Sequence, residues 1–269
     1  MDDVPLLFVN AVLHCLNSES LSTPRLLAHR TWSGVAEEHH RKRKDYAFWL
    51  TNSVNIYQIT MQHLSSRSEG YTDPEQWLRN DKTHLRVREL WFGVILSRNA
   101  PEITLEEALQ WSLRMAPYLT DLDEIVIIFH LGGANKSFDF LWKRPCHKLG
   151  YYNKDVSVLR WHLENNDRLE RIDTNLFSCD EVLDLLPLCA EKRLTWKMEF
   201  GLCTYNLNSV KTWQGDVQWD GIYPLVTNKN TYVEPDQPEK GTAFCEDEHI
   251  RKEFLWSSRN ESSFTITWK

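Results

Sequence analysis

No stretch of the sequence approaches the roughly 18 consecutive apolar residues that a bilayer-spanning helix requires, which argues against a membrane protein of that kind. A Gly-x-Ser-x-Gly elbow is missing, and with it the strained strand-to-helix turn that presents a hydrolase serine. No four Cys, His or acidic residues have structural-zinc spacing. Cys146 and His147 are adjacent, Cys245 and His249 lie four apart, and Glu37-Glu38-His39-His40 lacks a histidine pair at i, i+4. The nearest approach to a phosphate-binding loop, at 130–137, has His130 and Asn135 where such a loop needs glycines to bring backbone N–H groups around the phosphates. The six cysteines have no pair closer than ten residues, so they outline no disulfide framework and fit reduced, buried thiols. Acidic residues outnumber basic ones to give a net charge of −7, which disfavours nucleic acid or an anionic membrane as the main partner. Met1-Asp2-Asp3 offers neither the positive charge nor the apolar run of a secretory signal, so a cytoplasmic or nuclear location is expected. No cofactor and no metal are expected. An enzyme whose site is assembled from distant residues stays open, because triad members need not be neighbours in sequence.

What is present concentrates at the start of the chain. Phe8, Val9, Val12, Leu13 and Leu16 recur at i, i+1, i+4, i+5 and i+8, which predicts an amphipathic helix. Asp2 or Asp3 can cap its free N–H groups, and Pro5 suits a first helical turn. A polar turn at 17–20 precedes Leu21, and Thr23-Pro24 offers a second helix start before Leu26, Leu27, Trp32, Val35 and Ala36. Two or three short helices in under 40 residues are too small to bury a full core, so some of their apolar surface needs a partner. The basic run at 39–44 reads as a solvated helix face or a connector.

These residues resemble the F-box, the motif that docks substrate receptors on the Skp adaptor of cullin–RING ubiquitin ligases. Val4-Pro5 stands where that family usually has Leu-Pro. Phe8, Val12, Leu16 and Leu21 stand at its apolar helix positions, Trp32 matches its tryptophan, and Val35-Ala36 matches the apolar pair that follows. Leu6-Leu7 occupies the place of an often acidic residue, and Pro24 falls within the second helix. With its start and length, the chain is similar to the nematode F-box and F-box-like proteins, in which an F-box precedes a β/α recognition domain. The resemblance implies that Val4, Pro5, Phe8, Val12, Leu16, Leu21, Trp32 and Val35 bind a Skp-type adaptor, and through it a cullin–RING ligase. A protein substrate of unknown identity would bind the remainder, with the chemistry belonging to other subunits.

Proportions of 42% hydrophobic and 26% charged residues are ordinary for a globular chain, so long disorder is not expected. The expected organisation is a helical module at 1–45 and a larger domain at 46–269. Residues 54–59 alternate as a half-buried strand does, and Asp73-Pro74 starts a short helix around Trp77. Strand-like apolar runs follow at 87–96, 125–131, 156–163 and 194–202, with starts 31 to 38 residues apart. Between them, Thr104 to Glu107 and Ser178 to Glu181 resemble capping boxes, Pro187 falls late in the second of these helices, and Phe138, Leu141 and Trp142 line a short third one. Strand and helix in alternation predict an α/β fold of parallel βα units, an irregular open domain of leucine-rich-repeat type. The final strand, Phe264 to Trp268, alternates strictly and is expected to close a sheet edge.

Twelve tryptophans are unusual. Trp91, Trp111, Trp161 and Trp196 fall on predicted strands and a helix and are expected in the core. Trp213, Trp219, Trp256 and Trp268 lie in turn-rich or terminal segments and are candidates for a target-binding surface, since exposed aromatics anchor interfaces. The expected function is therefore a non-enzymatic interaction protein. A second reading makes the F-box-like segment only a structural cap, with Phe8, Val12 and Trp32 buried internally.

Overall fold

The computed structural model describes residues 4–16, 20–53, 56–66, 71–93, 100–128, 137–153, 156–174, 184–200, 240–246, 249–257 and 262–269. The protein is mixed α/β with a helix-rich N-terminus, and it divides into two compact units: Met1–Leu90 with Leu96–Asp121, and Trp91–Ile95 with Leu122–Lys269. The expected 1–45 module thus belongs to the first unit together with the strands that follow it.

The first unit opens with helices α1 (Leu6–Cys15), α2 (Ser22–Arg25) and α3 (Arg30–Lys42). Strands β1 (Lys44–Ser53) and β2 (Ile56–His63) then pair antiparallel, with Phe48 opposite Met61 and Leu50 opposite Ile59, all four buried. The two-residue β3 (Tyr71–Thr72) extends the outer side of β2. Helix α4 (Pro74–Arg79) starts where expected: Asp73 accepts a hydrogen bond from the Glu75 N–H at 2.9 Å, and Pro74 occupies the first turn, where its missing donor has no role. β4 (Leu85–Gly93) lies against β1, giving the order β3-β2-β1-β4. Helix α5 (Leu105–Met115) has the capping box read from sequence, with Thr104 and Glu107 bonded reciprocally, and it buries Ala108, Ser112 and Met115 against β2.

The second unit is built on β5 (Leu122–Ile127), α6 (Asp139–Trp142), β6 (Cys146–Tyr151), α7 (Ser157–Asn165), β7 (Arg171–Thr174), α8 (Leu186–Lys192) and β8 (Thr195–Phe200). β5, β6, β7 and β8 are parallel neighbours, and in register they place Ile125, Leu149, Ile172 and Trp196 side by side. All four are fully buried, and they recur 24, 23 and 24 residues apart. Three residues before the first three of these stand Leu122, Cys146 and Leu169, again buried. Gly150 pairs with Val126 and Asp173 in the adjacent row, where packing is tight: a Cβ there would lie 3.3 Å from the Tyr152 ring and 3.4 Å from Val126. Beyond β8 the pairing turns antiparallel through β11 (Ser262–Trp268), β10 (Ile250–Ser257) and β9 (Lys240–Glu246), in the order β8-β11-β10-β9.

Several expectations are corrected. Residues 156–163 are not a strand but most of α7, because Leu159, His162 and Leu163 at i, i+3 and i+4 form one buried helical face, and the two valines sit off it. The recurrence is accordingly near 24 residues rather than 31 to 38: β6 and β7 were hidden by polar residues and a glycine in short strands. Pro187 stands in the first turn of α8, not late in it, and the capping box expected at 178–181 lies outside the described residues. The terminal strand β11 is internal, between β8 and β10. Of the four tryptophans expected in the core, Trp196 is fully buried while Trp91, Trp111 and Trp161 are half-buried. Trp268 is buried rather than exposed, and Trp77 and Trp142 take core places. Among the described residues no helix is long and apolar enough to cross a membrane.

Polar groups inside the second unit are paired with care. His162 Nε2 donates to the Trp142 carbonyl at 2.7 Å, so its Nδ1 is the acceptor that receives Asn166 Nδ2 at 3.2 Å. Asn166 also donates to the Cys146 carbonyl at 2.9 Å, tying the end of α7 to β6. Burial pushes the His162 pKa down to about 4 and that of the Cys146 thiol up to about 12. Helix α8 closes with Arg193 N–H bonded to Ala190 and Leu194 N–H reaching back to Cys189, a Schellman closure that forces Arg193 to φ 55°. An L side chain is strained there, and the exposed Arg193 side chain gives little in return. Arg193→Gly is therefore expected to stabilise the protein by about 0.5–1 kcal/mol, read as an upward shift of the urea midpoint with an unchanged slope.

Candidate functional site

The N-terminal helices have their own small core. Val9 and Leu13 of α1, Leu21 and Ala36 are fully buried together, with Val4, Leu16, Trp32 and Val35 packed against them. Pro5 begins α1, and its carbonyl accepts from the Phe8 and Val9 N–H groups at 2.9 and 3.1 Å. The residues expected to cap α1, Asp2 and Asp3, lie outside the described residues. Arg25 Nε donates to Glu37 at 2.7 Å and links α2 to α3, an exposed contact worth little by itself.

The five-residue stripe expected on α1 divides in two. Val9 and Leu13 face the core, Val12 and Leu16 are half-buried beside them, and Phe8 points outward. Helix geometry is the reason: Phe8 stands about 100° around the axis from Val9, too far to share its direction. Leu6, Leu7 and Phe8 are 59%, 82% and 56% exposed, and Leu26 and Leu27, just past α2, are 87% and 45% exposed. Three consecutive open apolar side chains on α1, with two more just past α2, leave apolar surface that a partner could cover.

Among residues proposed from the sequence for adaptor contact, Pro5 and Phe8 are exposed, Val4, Val12, Leu16, Trp32 and Val35 are half-buried, and Leu21 is fully buried in the module's core. Leu6, Leu7, Leu26 and Leu27 were not anticipated as its most open members. The signal was present in Leu6-Leu7-Phe8, since three consecutive apolar residues on a helix point in three directions and cannot all reach one core. Of the tryptophans suggested for target binding, Trp213 and Trp219 lie outside the described residues, and Trp256 falls in β10 opposite Gly241.

A polar cluster fixes this module on the sheet of the first unit. The Leu16 carbonyl at the end of α1 accepts from Arg43 Nη1 and, at 3.1 Å, from Arg86 Nη1 of β4. Arg43 Nε also meets Asp45 at 2.9 Å. His39 of α3 is buried, contrary to the solvated face expected for 39–44, and its Nε2 donates to Asn10 Oδ1 at 2.7 Å. The His39 ring meets His14 and His84 edge to face, with centroids 6.0 and 5.0 Å away. Burial, then the neighbouring histidines and arginines, lowers its pKa to about 4. Cys15 is exposed while Cys146 and Cys189 are buried, and among the described residues no three His, Cys, Asp or Glu are grouped to hold a metal ion. Comparison with protein-family models, with curated protein sequences and with solved structures returns no match.

His39 and His162 each have a folded pKa below the ordinary 6.5. The unfolded chain then binds more protons between pH 6.5 and about 4, so their stabilising contribution is complete above that window and is lost as the pH falls through it. The melting temperature is expected to drop steadily between pH 7 and pH 5 in calorimetry, by up to ~3 kcal/mol of stability for each histidine across the full window. A His39→Gln/His162→Gln variant should lose most of that slope.

Proposed function

We propose that this protein is a non-enzymatic, substrate-recruiting subunit of a Skp–cullin–RING ubiquitin ligase, which docks a Skp-type adaptor through its N-terminal helices and holds a protein target with its second unit. The observation that carries the reading is the exposure of Leu6, Leu7 and Phe8 on α1, and of Leu26 and Leu27 just past α2, in a module that already has a core of its own. A segment serving only as an internal cap would turn Phe8 and its neighbours inward. The F-box resemblance supplies the identity of the partner: Pro5 and Phe8, two residues that match the motif, are among the exposed residues, and Trp32 and Val35 pack against the module's core from α3. The β5–β8 ladder supports a leucine-rich-repeat-like second unit, since its 23- and 24-residue recurrence falls in the range of about 20–29 residues typical of such repeats. Its antiparallel extension through β11, β10 and β9 makes it an irregular member of that class.

Binding of the purified full-length chain to a Skp-type adaptor, measured by calorimetry, tests the proposal. Micromolar or tighter affinity is expected, with Leu7→Asp/Phe8→Asp weakening it at least about tenfold, or ~1.4 kcal/mol, while melting temperature stays near wild type because both side chains are exposed. A folded wild-type chain that shows no binding at micromolar concentration overturns the adaptor assignment.

A further inference from the structure

At the end of α1 the first unit has a pocket of about 230 Å³ whose wall carries excess positive charge. Lys82, Arg86, Arg88 and His14 line it, and Asp121 is the single acidic residue of the lining. That carboxylate is occupied: Arg88 Nη1 donates to Asp121 Oδ2 at 2.5 Å and to the Asp121 carbonyl at 3.2 Å. Arg86, only 7% exposed, gives Nη1 to the Leu16 carbonyl, and its Nη2 is buried with no partner. Lys82 Nζ donates to the Trp77 and Asn80 carbonyls at 2.5 and 2.6 Å and lies 4.5 Å over the Trp77 ring. Neither Lys82 nor Arg86 has a carboxylate within hydrogen-bonding reach.

Burying a cation is costly unless a counter-charge offsets it, and the carboxylates that act on these two, Asp45 and Asp121 on Arg86 and Asp81 on Lys82, do so without a hydrogen bond. The local field is visible on His14, whose pKa is pushed below the ordinary value first by burial and then by Arg86. A dianion in the pocket would meet the Lys82 ammonium as a point charge beside the Arg88 guanidinium, and would offset the buried Arg86 charge through space. Size narrows the choice. The cavity is smaller than the roughly 300–1,000 Å³ of pockets that enclose drug-sized ligands, so it suits a phosphate on a small carrier and not a nucleotide.

We propose that the pocket lined by Lys82, Arg86 and Arg88 is a binding site for the phosphate group of a small molecule. The two proposals are tested separately, since Lys82→Gln leaves the exposed Leu6, Leu7 and Phe8 unchanged.

The test is calorimetric and thermal-shift titration of the full-length chain at constant ionic strength with inorganic phosphate, free phosphoserine and acetate. Saturable stabilisation by a phosphate compound is expected, half-maximal at or below about 1 mM, with acetate at least about tenfold weaker. The tighter of inorganic phosphate and phosphoserine identifies whether the free anion or an ester is the ligand. Lys82→Gln is expected to weaken binding about tenfold. Equal, non-saturating responses to phosphate and acetate overturn the proposal, as does a folded Lys82→Gln chain with wild-type affinity. If that variant does not fold, the wild-type comparison of phosphate with acetate decides.

Discussion

One backbone carbonyl, that of Leu16, secures the N-terminal helices to the sheet of the first unit. It ends α1, where the helix dipole concentrates partial negative charge, and it accepts from two arginines that approach from different elements: Arg43 at the exit of α3 and Arg86 in β4. Two buried guanidinium groups on one acceptor leave each with an unpartnered nitrogen, Nη2 in both cases. The arrangement is therefore locally cationic. The core of Val9, Leu13, Leu21 and Ala36 fixes which side of α1 faces inward, leaving Leu6, Leu7 and Phe8 outside. The charge of the two arginines adds to the burial that keeps His39 neutral, and Arg86 gives the neighbouring pocket its character. The exposed apolar residues and the cationic pocket thus both border α1.

The second unit obeys a different constraint. Parallel strands joined through helices must repeat at a nearly fixed interval if the same row of side chains is to stay buried, and Ile125, Leu149, Ile172 and Trp196 satisfy that requirement. The opposite face of those strands is charged. Lys148 sits between Glu124 and Asp173 at 2.9 and 3.1 Å, and Arg171 adds a second cation on Asp173 at 2.8 Å. Trp196, the largest residue of the buried row, pairs its indole N–H with Thr174 Oγ1 at 2.8 Å, so even the aromatic end of the row has no stranded donor.

Local chemistry was legible wherever a short-range rule decides the outcome. The capping box at Thr104 and the Asp73-Pro74 helix start follow from side chains acting on their own backbone, the strand near Phe264 from strict alternation, and the strands near Val87 and Ile125 and the short helix around Trp142 from runs or lines of apolar residues. Short strands with polar members were not legible. Cys146-His147-Lys148-Leu149-Gly150-Tyr151 becomes a strand because its neighbours β5 and β7 supply hydrogen bonds on both sides, and no local preference announces that. For the same reason 156–163, which tolerates either period, could be assigned only once its helical face had found something to cover.

The candidate site divides in the same way. The sequence determined that the first 36 residues form short amphipathic helices, with more apolar surface than they can bury, because helical periodicity and small size are properties of the segment alone. Tertiary structure decided which of those apolar residues are open, placing Leu21 inside and Phe8 outside. It also decided that His39, Arg43 and Arg86, from α3, its exit and a strand some 40 residues further on, converge around the end of α1. Burial of a charged or titratable group depends on every element packed around it, and that information is not carried by neighbours in the chain.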